Sequence, residues 1–164
     1  MKPDRQVCFS VLLCMLRNVT RTYVITGGTD GIGAALARTL FRRGDKAVVV
    51  GTNPKKGEQL VAEAAATPGS AAFVKADLSL VANTRRTVDK LAEEYTAIDG
   101  VVLCARFMRS RRSVTAEGFE DNFALFYLSR LLFSYGLRGR LEKSDRPVIV
   151  NVAGPGHDTP VAWD

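Results

Sequence analysis

The stretch Thr22-Tyr23-Val24-Ile25-Thr26-Gly27-Gly28-Thr29-Asp30-Gly31-Ile32-Gly33 decides how this chain reads. Its first five residues are mainly β-branched and aromatic, the composition of a strand that packs in a sheet. Glycines follow at positions 27, 31 and 33, and a helical pattern runs from Gly31 to Arg43, with Ile32, Leu36 and Leu40 expected on one buried stripe. A glycine triplet alone says little, but between a strand and a helix it has a physical use. Gly27 permits a tight turn, Gly31 lets backbone approach a pyrophosphate, and Gly33 lets helix and strand pack closely. Unpaired N–H groups at the helix start, with about half a positive charge from the helix dipole, then hold phosphates.

Working outward, apolar strands and helical patterns alternate. Gly44 ends the first helix as a C-cap. Ala47-Val48-Val49-Val50 is a continuous apolar run, as in strands covered on both faces. Pro54 opens a helix through about Ala66, which Pro68-Gly69 stops. Ala71 to Lys75 reads as a third strand. Leu80 to Tyr95 reads as a helix, with Val81, Val88, Leu91 and Tyr95 on one side. Val101-Val102-Leu103 forms a fourth strand. A long helix is expected from Thr115, with Glu117 favourable at its N-terminus and Phe119, Phe123, Tyr127 and Leu131 on its buried stripe. Val148 to Val152 forms a fifth strand. The fold class is therefore α/β: a doubly wound, Rossmann-type open parallel sheet of about five strands with helices on both faces.

Bulk properties narrow the function. The chain has 164 residues, 46% hydrophobic and 24% charged, which suits one globular domain. A net charge of +6 favours anionic partners in general. No zinc-finger spacing, aromatic RNA-binding motif or long basic run appears, so nucleic acid is not expected as a partner. The three cysteines, Cys8, Cys14 and Cys104, lack the spacing of a disulfide framework and fit a reducing cytoplasm. The single histidine, His157, has no ligand cluster around it, so no metal site is expected. Residues 1–20 carry a short apolar run, Val7 to Leu16, after Lys2 and Arg5. It resembles a signal-peptide core but is too short to span a bilayer, and it reads as an extension of undefined role.

The spacing Gly-x-x-x-Gly-x-Gly after Thr26, the Asp77-Leu78-Ser79 after the third strand, the strand ending Val50-Gly51-Thr52-Asn53-Pro54 and the entry Glu117-Gly118-Phe119-Glu120 together resemble the short-chain dehydrogenase/reductase family, from about Thr22 to Val152. The resemblance implies an oxidoreductase that transfers hydride between a nicotinamide dinucleotide and a carbonyl or alcohol. It makes residues 21–164 a single NAD(P)-binding domain. It places the cofactor against Thr26, Gly27, Thr29, Asp30, Gly31, Ile32 and Gly33, with Thr52, Asn53 and Lys55 near the ribose, Asp77 and Leu78 at the adenine, and Cys104 and Ala105 after the fourth strand. An acid after the second strand would repel a 2′-phosphate; none stands there before Glu58, so NADP(H) is favoured over NAD(H), although Asp30 argues the other way.

The family's catalytic set is asparagine, serine, tyrosine and lysine, the last two as Tyr-x-x-x-Lys, in which lysine lowers the tyrosine pKa for proton exchange. No tyrosine here has a lysine four residues on. The asparagine position holds Phe126 and the serine position Gly154, so no catalytic residue is assigned. The expected readings are a truncated or divergent family member, or a non-catalytic module that binds nucleotide or a partner chain. The arginine-rich loop from Arg106 to Arg112 could hold an acidic small molecule. The fifth strand is expected as an exposed edge, open to pairing in a homo- or hetero-oligomer.

Overall fold

A computed structural model describes residues 20–107 and 112–153. Five parallel strands form one sheet in the order β3-β2-β1-β4-β5: β1 Thr22–Thr26, β2 Lys46–Gly51, β3 Ser70–Lys75, β4 Gly100–Leu103 and β5 Val148–Asn151. The helices are α1 Gly31–Arg42, α2 Pro54–Ala64 and α3 Val81–Glu94. The next, α4, begins with an α-helical turn Asp121–Phe123, passes through a π-helical segment Ala124–Leu128, and continues as Ser129–Gly136. A short α5 spans Arg138–Leu141. This is the doubly wound α/β architecture that the alternation predicts.

The period of two along each strand splits the core into two layers. Val24, Val48, Val50, Val101 and Leu103 face α3 and α4, where they meet Val88, Leu91, Leu125, Phe133 and Leu137. Ile25, Ala47, Val49 and Val102 face α1 and α2, where they meet Ala34, Ala37, Leu40, Phe41 and Leu60. Because both faces of the central strands are covered, their sequences are apolar throughout rather than alternating. Burial of an aromatic such as Phe41 or Phe133, both essentially inaccessible, stabilises the fold by roughly 1.5–3 kcal/mol each. The Asp99 carboxylate ties the strand starts together, accepting from the Thr22 amide at 2.8 Å and from the Ser144 hydroxyl at 2.7 Å.

Three expectations are corrected. Ile32 is 67% exposed and not on the buried stripe of α1; that face is built from Gly33, Ala34, Ala37, Leu40 and Phe41. The long helix starts at Asp121, not Thr115, and its N-terminus is capped by Glu120, which accepts from the amides of Asn122 and Phe123 at 3.0 and 2.7 Å. Glu117 instead reaches the start of α3, accepting from the amides of Val81 and Ala82 at 2.5 and 2.9 Å. The predicted stripe of Phe119, Phe123, Tyr127 and Leu131 lies exposed, and Asp121, Leu125, Ser129, Phe133 and Leu137 are the buried set. The four-residue period was right and the phase was not. Leu125 and Phe133 lie on the buried side of α4, together with the polar Asp121 and Ser129, and Phe123, Tyr127 and Leu131 on the exposed one.

β5 is an edge strand of the sheet, and Val148, Ile149 and Val150 are all exposed. No described helix is long and apolar enough to cross a membrane. Residues 1–19, including Cys8 and Cys14, lie outside the described residues, as do 108–111 and 154–164, which contain Gly154 and His157.

Candidate functional site

The order β3-β2-β1-β4-β5 reverses direction between β1 and β4, and in such sheets the crevice beyond the strand ends at that point receives ligands. A cleft of about 860 Å³ opens there. Its outer part is lined by Gly27, Thr29, Asp30, Gly31, Ile32 and Gly33 from the β1–α1 turn, with Thr52, Asp77 and Leu78 beyond the ends of β2 and β3. Its inner part is lined by Cys104, Ala105, Arg106, Phe107, Leu125, Phe126, Arg130 and Val152.

The glycines have the spacing of a cradle. Gly27 has φ +64°, and a Cβ there would lie 2.7 Å from the Ala105 backbone, so β1 and the end of β4 could not approach as they do. A Cβ on Gly33 would lie 2.5 Å from the Gly27 carbonyl oxygen. Gly31, at φ +50°, meets nothing within 4 Å, so its bare backbone faces open space where a phosphate can approach. Asp30 caps α1 by accepting from the Gly31 amide at 2.8 Å; the first-turn amides that follow have no intrahelical partner. This cleared backbone, beside a cleft of about 860 Å³ that reaches from the glycine turn to Asp77 and to Phe126, fits the group that the sequence implies.

Thr26 is buried rather than cleft-lining. Its hydroxyl accepts from the Ala105 amide at 3.3 Å and joins the ends of β1 and β4. Asn53 caps α2, accepting from the Lys56 amide at 3.1 Å; neither it nor Lys55 lines the cleft. Asp77 accepts from the amide and hydroxyl of Ser79 at 3.0 and 2.7 Å, which shapes the rim. Lys56, not Lys55, turns toward the glycine loop, where its ammonium pairs with the Asp30 carboxylate and holds that group below the ordinary carboxylate range. The clue was available: Lys56 follows the Asn53 cap by three residues, one helical turn, toward the loop.

At the inner end, Phe126 stands in the cleft and meets Phe107 edge-on, with ring centroids 6.4 Å apart. Arg130, one turn further along α4, was not singled out from the sequence. Its guanidinium lies 5.6 Å from the Phe126 ring centroid and donates to the Val152 carbonyl at 2.9 Å. Burial pushes the Cys104 thiol up, and the nearby Arg130 charge offsets part of that. Of the basic loop, Arg106 lines the cleft and Arg112 is exposed, while 108–111 lie outside the described residues. No cluster of three or more potential metal ligands occurs among the described residues.

The short chain dehydrogenase family model matches residues 21–163. DnrU of Streptomyces sp. (strain C5) is 36% identical over 123 residues, covering 74% of this chain and 42% of its own length. Retinol dehydrogenase 12 of Bos taurus is 33% identical over 139 residues, covering 84% of this chain and 44% of its own length. Among solved structures, a short-chain dehydrogenase from Sphingobium yanoikuyae in complex with NADPH superimposes with a TM-score of 0.69 at 27% identity, over 80% of this chain and 52% of that one. The chain thus spans less than half the length of these two curated relatives. With its parallel sheet, its glycine turn at the switch point and this match across residues 21–163, the chain belongs to the short-chain dehydrogenase family of oxidoreductases.

Proposed function

We propose that residues 21–164 hold a nicotinamide dinucleotide for an oxidoreductase reaction on a carbonyl or alcohol, with NADP(H) preferred over NAD(H). The observation that carries the reading is the glycine cradle: a Gly33 packed against the Gly27 carbonyl and a Gly31 with open space before it. When bound, the dinucleotide supplies or accepts the hydride. The chain's own groups hold and orient it. The α1 amides take the pyrophosphate, Thr52 stands near the ribose, and Asp77 with Leu78 flanks the adenine. The preference for NADP(H) draws support from the absence of an acid after β2 and from Lys56, which neutralises the Asp30 charge beside the loop.

A second reading, a non-catalytic module that binds nucleotide or a partner chain, is favoured by Phe126. An aromatic ring occupies the cleft where the family resemblance puts an asparagine. The exposed aromatic face of α4 supports association with another chain in either reading.

The test is fluorescence titration of the purified chain with NADPH and NADH. Saturable binding of both is expected, tighter for NADPH. No binding of either at millimolar concentration sinks the cofactor reading. Binding without turnover of any carbonyl compound selects the non-catalytic module. Gly31→Trp should abolish binding, because the new side chain would fill the space the phosphates need; the positive φ at this position adds backbone strain, so circular dichroism of the variant is recorded alongside to check that the fold is retained.

A further inference from the structure

Resting on the cofactor reading, we propose that Arg130 makes the inner end of the cleft a carboxylate site, so that the ligand beside the nicotinamide is an organic acid with an apolar or aromatic body. Arg130 is only partly exposed, and its Nε is buried without a hydrogen-bond partner. One terminal nitrogen is spent on the Val152 carbonyl, and no carboxylate pairs with it among the described residues. A half-buried cation without a counter-ion is costly, and such groups concentrate where a ligand brings the missing charge.

The surroundings specify the ligand. The Phe126 ring, 5.6 Å from the guanidinium carbon, and the bond to Val152 restrict the guanidinium, whose remaining donors keep their planar fork. A planar fork matches a carboxylate in bidentate fashion. Phe107, Phe126, Leu125, Val152 and Cys104 surround it with apolar surface that would receive a hydrocarbon body, and Arg106 adds positive charge to the same end of the cleft. Arg130 stands on a helix, whereas Arg106 follows the end of β4 in irregular backbone, so the position of Arg130 is the more closely determined.

The experiment is calorimetric titration of the full chain with benzoate and with its neutral analogue benzamide, with and without saturating NADH. Benzoate should bind and benzamide should not. Arg130→Gln should weaken benzoate about tenfold or more, and Arg130→Lys, which keeps the charge but not the fork, should retain part of the affinity. The Arg130 Nε–H resonance of the unmodified chain should shift on addition of benzoate, which supplies a readout even if a variant fails to fold. Equal affinity for benzoate and benzamide, an unmoved Nε–H resonance, or undiminished benzoate binding by Arg130→Gln overturns the proposal. So does loss of NADH along with benzoate in that variant, because the guanidinium would then serve the cofactor. Benzoate binding through Arg130 in a chain that takes neither NADPH nor NADH sinks the cofactor reading alone; binding of either dinucleotide without benzoate sinks the carboxylate site alone.

Discussion

The two ends of the cleft obey different physics. The outer end is made of backbone: glycines without side chains, unpaired amides at the start of α1, and a carboxylate that caps the helix. The inner end is made of side chains: a thiol, two phenyl rings and a guanidinium. A backbone site tolerates almost no change at its glycines but is indifferent to much else. A side-chain site can be rewritten one residue at a time, as Phe126 and Arg130 illustrate. One end therefore keeps the family's pattern while the other carries whatever is particular to this chain.

Three measurements would break or sharpen that contrast. The largest effect is expected from Gly33→Val at the outer end. Its Cβ would overlap the Gly27 carbonyl, so dinucleotide binding should fall more than a hundredfold, and overpacking should destabilise the fold by roughly 1–3 kcal/mol. Retained NADPH affinity in that variant would remove the backbone account of the site. A smaller effect is expected from Asp30→Asn, which releases Lys56 and removes an acid beside the loop. The ratio of NADPH to NADH affinity should rise several-fold; an unchanged ratio shows that Lys56 does not reach the 2′-phosphate. The mildest concerns Cys104 at the inner end. Burial raises its thiol pKa, so the reactive thiolate is scarce at neutral pH and becomes abundant only above the ordinary cysteine range. Iodoacetamide labelling of the Cys104 peptide, followed by mass spectrometry, should be slow at pH 7, accelerate at higher pH than for a free cysteine, and slow further with NADH present. Fast labelling at pH 7 would mean that the inner end is open to water.

Local chemistry made the outer end legible. A strand, a turn and a helix adjoin in sequence, and each glycine's use follows from its neighbours. The sheet was legible for a similar reason: a run as continuously apolar as Ala47 to Val50, set among alternating helical patterns, fits a strand covered on both faces. The inner end was not, because its residues come from β4, α4 and the end of β5, and their meeting depends on how α4 is rotated. Phe123, Tyr127 and Leu131 repeat with the same period as Leu125, Ser129 and Phe133, and periodicity fixes spacing without choosing a side. Glu117 shows the same limit at smaller scale. An acid suited to a helix start was readable there, but which helix it serves depended on the packing, and it serves one 36 residues upstream.

The π-helical segment Ala124–Leu128 acts as a phase shifter in α4. A π turn accommodates one residue more than an α turn, and each residue of an α-helix advances the azimuth by about 100°. Winding this segment as a regular α-helix with its residues kept would swing everything after it by about that angle, taking Arg130 from the cleft and Phe133 from the core. The one wide turn therefore decides which side chains of α4 the cleft contains.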